Sequence, residues 1–123
     1  MKYNQILKIG NQKYKVYLTK DVKEIEKGLM YLTELSTGCG MLLSYEKPDY
    51  YGVWMKYVCI PLDIIWISEE DTVIDKKTLY PSFKNPESTV TYIDKKSKYT
   101  LEVNANSFYG EIGDKVFFSE VVE

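Results

Sequence analysis

The chain has 123 residues with 16 Lys+Arg, 18 Asp+Glu and no His, and every one of the 16 bases is Lys. Without His or Arg there is no imidazole nucleophile system, no imidazole metal ligand and no bidentate guanidinium clamp. Two Cys cannot build a four-ligand zinc site, and a net charge of −2 gives no basic footprint for general nucleic-acid binding. A chain of this length reads as one domain, residues 1–123, that buries roughly two-thirds of its unfolded surface without metal or disulfide. Residues 3–9 and 13–18 are predicted strands joined at Gly10-Asn11, with Tyr14, Val16 and Leu18 alternating against Lys13, Lys15 and Tyr17. The period then changes. Asp21 and Glu24 form a capping-box pair, and Val22, Ile25, Leu29 and Met30 keep helical spacing, which predicts one short amphipathic helix near residues 21–30. Gly28 inside that stripe weakens the helix, which points to close packing there.

Beyond a loop closing at Ser36-Thr37-Gly38-Cys39-Gly40, the chain reads as β. Strands are expected at Met41–Tyr45, then at Tyr51–Cys59 and Leu62–Ile67 with a break at Ile60-Pro61, where Pro denies the ladder a donor. A turn is expected at Glu46–Asp49 between the first two. Further strands are expected at Thr72–Asp75, Thr89–Ile93, around Tyr99, Leu101 and Val103, and at Lys115–Val121. A Pro-bounded excursion is expected at Pro81–Pro86. Ile-Asp-Lys-Lys occurs at 74–77 and again at 93–96, and reads as two similar turns after strands. About eight strands around one helix predict a mainly β protein: a single antiparallel sandwich or partly closed barrel with one short α-helix. The abundance of Tyr, 12 against four Phe and two Trp, suits such a fold.

The stretch Tyr50 to Ser68 is interrupted by Lys56, Pro61 and Asp63, so it is not expected to span a membrane. With no apolar leader in sequence, the expected location is cytoplasmic, with Cys39 and Cys59 as free thiols.

Four stretches taken in order resemble one known pattern. They are Lys27-Gly28-Leu29-Met30; Gly40-Met41-Leu42-Leu43; Trp54-Met55-Lys56 followed by Ile60-Pro61-Leu62-Asp63-Ile64-Ile65; and Leu101-Glu102-Val103 followed by Gly113-Asp114. Together they resemble the domain of unknown function 192 family, over about Glu24 to Phe117. The resemblance implies a compact β-sandwich with one short helix, and it brings no catalytic residues. Three places depart from the family pattern. A basic residue usual near Leu32 is missing, Tyr57-Val58 replaces an Asn and a small polar residue, and Asn104-Ala105-Asn106 replaces a Pro-Ala-Gly-like turn. The last exchange keeps the physics, because Asn tolerates the left-handed conformation.

The strongest polar constellation is Trp54, Lys56, Asp63 and Glu102, the candidate ligand-binding residues. On a strand, Trp54 and Lys56 share a face, and Asp63 interrupts an apolar run where an unpaired charge is costly. The functional reading is a small pocket with a cation, an acceptor and a stacking wall. The structural reading is an ion pair pinning strand ends, with Trp54 in the core. Glu102 points away from Leu101 and Val103, on the side of Lys98, which suggests a solvated pair. The acidic turn Glu69-Glu70-Asp71 with Asp75 lacks the pattern of a calcium loop and reads as a hairpin tip. Met30, Met41 and Met55 read as core filler, and no glycine-rich phosphate loop is present. No metal and no cofactor are expected. The expected role is an accessory binding domain without catalytic activity, for a small polar ligand or a protein partner. Two alternatives are a hydrolase or lyase using Lys56 and Asp63 as an acid–base pair, and a carbohydrate-binding module using exposed Tyr.

Overall fold

A computed structural model describes residues 1–81 and 90–121. Among the described residues, nine strands and one helix follow in the order β1 Gln5–Ile9, β2 Gln12–Leu18, α1 Val22–Lys27, β3 Cys39–Asp49, β4 Val53–Trp54, β5 Leu62–Ile67, β6 Val73–Leu79, β7 Val90–Thr91, β8 Ser97–Asn104 and β9 Val116–Glu120. Seven strands form one sheet in the order β6-β5-β8-β3-β2-β1-β9, and β4 pairs with β7 as a separate ribbon. The protein is mainly β, as expected, and the sheet is not closed into a barrel. It curls until its two edges meet at one end. There Thr72 bridges Lys115, the Val73 amide donates to the Asp114 carbonyl at 2.9 Å, and the Gly113 amide donates back to Val73 at 2.8 Å. Among the described residues no helix is long and apolar enough to cross a membrane.

One pair departs from the antiparallel expectation: β2 and β3 run parallel, from Lys15 beside Cys39 to Leu18 beside Leu42. Parallel neighbours need a crossover, and α1 with the loop after it supplies one. Asp21 is the N-cap, its Oδ1 accepting the Glu24 amide at 2.9 Å, and Glu24 accepts from the Lys20 amide and the Tyr17 hydroxyl. The helix is shorter than predicted. It stops at Gly28, whose φ of 49° and ψ of −127° suit glycine alone, so Leu29 and Met30 lie beyond it.

Three further boundaries move. β3 continues through the expected turn at Glu46–Asp49, with a register shift after Ser44 that accommodates Pro48. The expected strand Tyr51–Cys59 is only Val53–Trp54; the backbone then turns, with the Val58 amide bonded to the Met55 carbonyl and Tyr57 at φ 57°. β6 extends to Leu79, so the first Ile-Asp-Lys-Lys copy lies within a strand, not a turn. Asn106 adopts φ 62°, the left-handed conformation that Asn is expected to supply. Beyond Pro81, the expected excursion at Pro81–Pro86 lies outside the described residues, as does Thr89.

The sheet buries both of its faces in its middle. Inside the curl, Leu7, Ile9, Val16, Leu42, Ile65, Ile67, Leu101 and Val103 form one core. On the outer face Leu43, Tyr45, Leu62, Ile64 and Trp66 form another, covered by Leu29, Leu35, Val53, Met55 and Val58. β5 therefore has no exposed residue, the pattern of a strand covered on both sides. That covering layer, made of the α1 crossover and the β4 turn, positions the site.

Candidate functional site

The outer core does not close completely. Between the sheet and its cover lies a cavity of about 250 Å³ lined by Gly28, Leu29, Leu43, Tyr45, Val53, Trp54, Lys56, Val58 and Glu102, among others. Three of the four sequence candidates, Trp54, Lys56 and Glu102, therefore share one cavity.

Glu102 is its distinctive group. Strand alternation sets it on the outer face: it stands opposite Met41 on β3 and Ile64 on β5, both outer-core residues. It is only 5% exposed, so the expected solvated pair with Lys98 is not formed. Lys98 donates instead to the Tyr45 carbonyl. Gly28 covers Glu102 so closely that a β-carbon there would sit 3.4 Å from its Oε1. Among the described residues, the Glu102 carboxyl has no hydrogen-bond donor or cationic partner. Burial without a partner disfavours the charged form and pushes its pKa from 4.5 up to about 7. The neighbouring Tyr45 is satisfied, with its hydroxyl 2.8 Å from the Thr100 hydroxyl and its ring stacked on Tyr51 at 3.6 Å between centroids.

Trp54 and Lys56 are adjacent, but not as alternate residues of one strand, since β4 ends at Trp54. The turn folds the Lys56 ammonium back over two rings, 5.1 Å from the Trp54 centroid and 5.3 Å from that of Tyr57. Trp54 is 37% exposed and so is not a core residue. Tyr31 and Tyr57 stack beside it at 5.4 Å, joined by a bond from the Tyr31 amide to the Tyr57 carbonyl. Both hold positive φ, 64° and 57°. Sequence reading misses this pair, because nothing in the spacing of two Tyr residues 26 apart signals contact.

Asp63 is elsewhere. It faces the inner side of the sheet, opposite Val103, while Glu102 faces the outer side. Its Oδ1 accepts the Thr78 hydroxyl at 2.6 Å, and its Oδ2 accepts the Ser107 and Phe108 amides, each at 3.0 Å. Both oxygens are engaged in tying the turn after β8 to the sheet. The expected approach of Asp63 to Lys56 does not occur, because the sheet stands between them. Neither an ion pair nor an acid–base couple forms from these two. Cys39 and Cys59 are free, as expected.

The family model for the domain of unknown function 192, described as an uncharacterized ACR, matches residues 5–118. A proposed transcription regulator from Sinorhizobium meliloti 1021 has the same fold, with a TM-score of 0.83 and 23% identity over 94% of this chain and 92% of its own. A protein of unknown function from Novosphingobium aromaticivorans DSM 12444 superposes with a TM-score of 0.77 and 26% identity, over 93% of this chain and 83% of its own. Among curated proteins, none matches the chain.

Proposed function

The chain belongs to the domain of unknown function 192 family, and from that premise and the cavity under α1 we propose that it is a small-molecule binding domain that performs no catalysis. One observation carries the reading. A 5%-exposed carboxyl without a donor among the described residues lines a cavity whose other walls are largely aromatic and aliphatic, with Glu26, Lys27 and Lys56 also lining it. A ligand that donates to this carboxyl inside the cavity supplies the hydrogen-bond partner that the described residues do not. Trp54 flanks the entrance as an apolar wall, and Lys56 holds the Trp54 and Tyr57 rings in place.

The rival readings have less support. An acid–base enzyme built on Lys56 and Asp63 lacks the couple it needs. A sugar platform needs exposed rings side by side, whereas the Tyr31 and Tyr57 rings cover each other. A nucleic-acid role, suggested by the description of one structural relative, finds no basic footprint in a chain of net charge −2. The two free thiols fit a reducing cytoplasmic setting.

A native mass spectrum of freshly purified protein tests the proposal, together with amide NMR shifts during a fragment screen. A retained small molecule, or fragments shifting Leu29, Val58 and Glu102 together, supports it. Shifts confined to other surfaces would sink it.

A further inference from the structure

Resting on the binding reading above, we infer that the ligand is an amine, a protonated ammonium carried on an apolar body, with the ammonium seated against the Glu102 carboxylate.

The polar groups around the cavity are unequal. Asp63, the other buried carboxyl, has three donors on its two oxygens and lines no part of this cavity. The Tyr45 hydroxyl is bonded to Thr100. Glu102, 5% exposed, is aimed into the cavity and has no donor among the described residues. A carboxylate in that state is stabilised most by a cation with N–H groups, since charge-assisted hydrogen bonds are about twice as strong as neutral ones. Lys27, exposed, and Lys56, half-buried, also line the cavity, but an anion drawn to them would be repelled by the Glu102 carboxylate. Three amides of the covering segment are already engaged: Gly28 donates to Glu24, Met30 to Lys27 and Tyr31 to Tyr57. The chain has no Arg. The rest of the ligand is set by the walls, where Leu29, Leu43, Val53, Val58 and Tyr45 present carbon. The ammonium can belong to a free amine or to a lysine side chain of another protein.

Seating an ammonium favours the charged carboxylate. A carboxyl held protonated by burial therefore loses its proton to solvent as the complex forms, and no other bond changes. Binding should release up to one proton per site near neutral pH and weaken on acidification. The remaining titratable groups lining the cavity are Glu26 and Lys27 from α1, Lys56 from the turn, and Tyr45 and Tyr51 from the sheet side.

Isothermal titration of the full chain with hexylamine, phenethylamine and Nα-acetyllysine amide tests this, with hexanoate and hexanol as comparators. The expected result is binding of the amines over both comparators, with heats that differ between buffers of different ionisation enthalpy in the sense of proton release. The Glu102→Gln variant should lose about tenfold or more in amine affinity. In the unaltered protein, amine affinity should fall between about pH 8 and about pH 5 while hexanol shows no such trend; this arm stands even if the variant fails to fold. Selective binding of the lysine derivative would assign the ammonium to a protein partner, and selective binding of the simple amines to a free metabolite. Hexanoate or hexanol binding as tightly as the amines would overturn the amine assignment and leave the cavity reading standing. If no compound binds and no lining amide resonance moves, both fall.

Discussion

Replacing Glu102 with Gln should stabilise the protein in alkaline solution relative to acid. The side chain is 5% exposed and has no donor among the described residues, so its charge is opposed by burial alone. Its pKa rises from 4.5 to about 7. The folded state then holds a proton that the unfolded state has released, across the window between those two values. Where the folded state binds more protons, stability falls as pH rises. The protein should therefore be most stable below about pH 4.5 with respect to this group, lose stability through about pH 7, and level off above it. Each pH unit separating the folded from the unfolded value corresponds to about 1.36 kcal/mol, so the full loss is about 3 kcal/mol. Gln has nearly the same shape and no charge, and its amide brings a desolvation cost that is the same at every pH. The pH-dependent part of the difference is therefore the readout. Urea denaturation of both proteins at steps between about pH 4.5 and about pH 8.5 should give curves whose separation grows by about 3 kcal/mol, in favour of Gln, towards high pH. A separation independent of pH would show that Glu102 titrates alike in the folded and unfolded states, so that burial does not oppose its charge. A separation that grows in the opposite direction would place a cation beside it.

Other perturbations have equally definite outcomes. Asp63→Ala orphans the Ser107 and Phe108 amides and the Thr78 hydroxyl, and should cost about 3 kcal/mol in urea denaturation; a loss below about 1 kcal/mol would mean the turn detaches freely. Gly28→Ala forces a side chain into a backbone conformation suited to glycine and up against Glu102, and should lower stability by about 1–3 kcal/mol, read as a lower melting temperature. Asp21→Ala removes the cap bond to the Glu24 amide and should cost about 1 kcal/mol; an unchanged midpoint would mean water replaces the cap without loss. Thiol titration of unfolded protein without reductant should find both Cys39 and Cys59 reactive.

How much of the molecule is legible in its sequence depends on how local each feature is. The alternation of Tyr14, Val16 and Leu18 and the Asp21–Glu24 pair are set within a few residues, and both reappear in the structure. The need for partners at Asp63 is legible, because a carboxylate amid Leu62, Ile64 and Ile65 is costly. Their identity is not, since Thr78, Ser107 and Phe108 lie 15, 44 and 45 residues away. Alternation with Leu101 assigns Glu102 to the correct side of its strand. It carries no information about what covers that side, and the cover is Gly28 from the crossover. Strand periodicity cannot place Lys56, because β4 ends at Trp54 and the chain turns before reaching it.

The order of strands in the sheet bears on how the protein is assembled. β8 is inserted between β5 and β3, two strands made much earlier in the chain. Until residues 97–104 arrive, the hairpin of β5 and β6 has no ladder connection to the layer of β1, β2 and β3. The floor of the cavity, which carries Glu102, does not yet exist. β9 must then close against β1, whose residues lie at the other end of the chain. Pairings this distant in sequence make for slow folding. On the ribosome, two separate half-sheets with exposed edges would wait for one keystone strand. That interval is when a nascent chain of this fold is most open to mispairing with its neighbours.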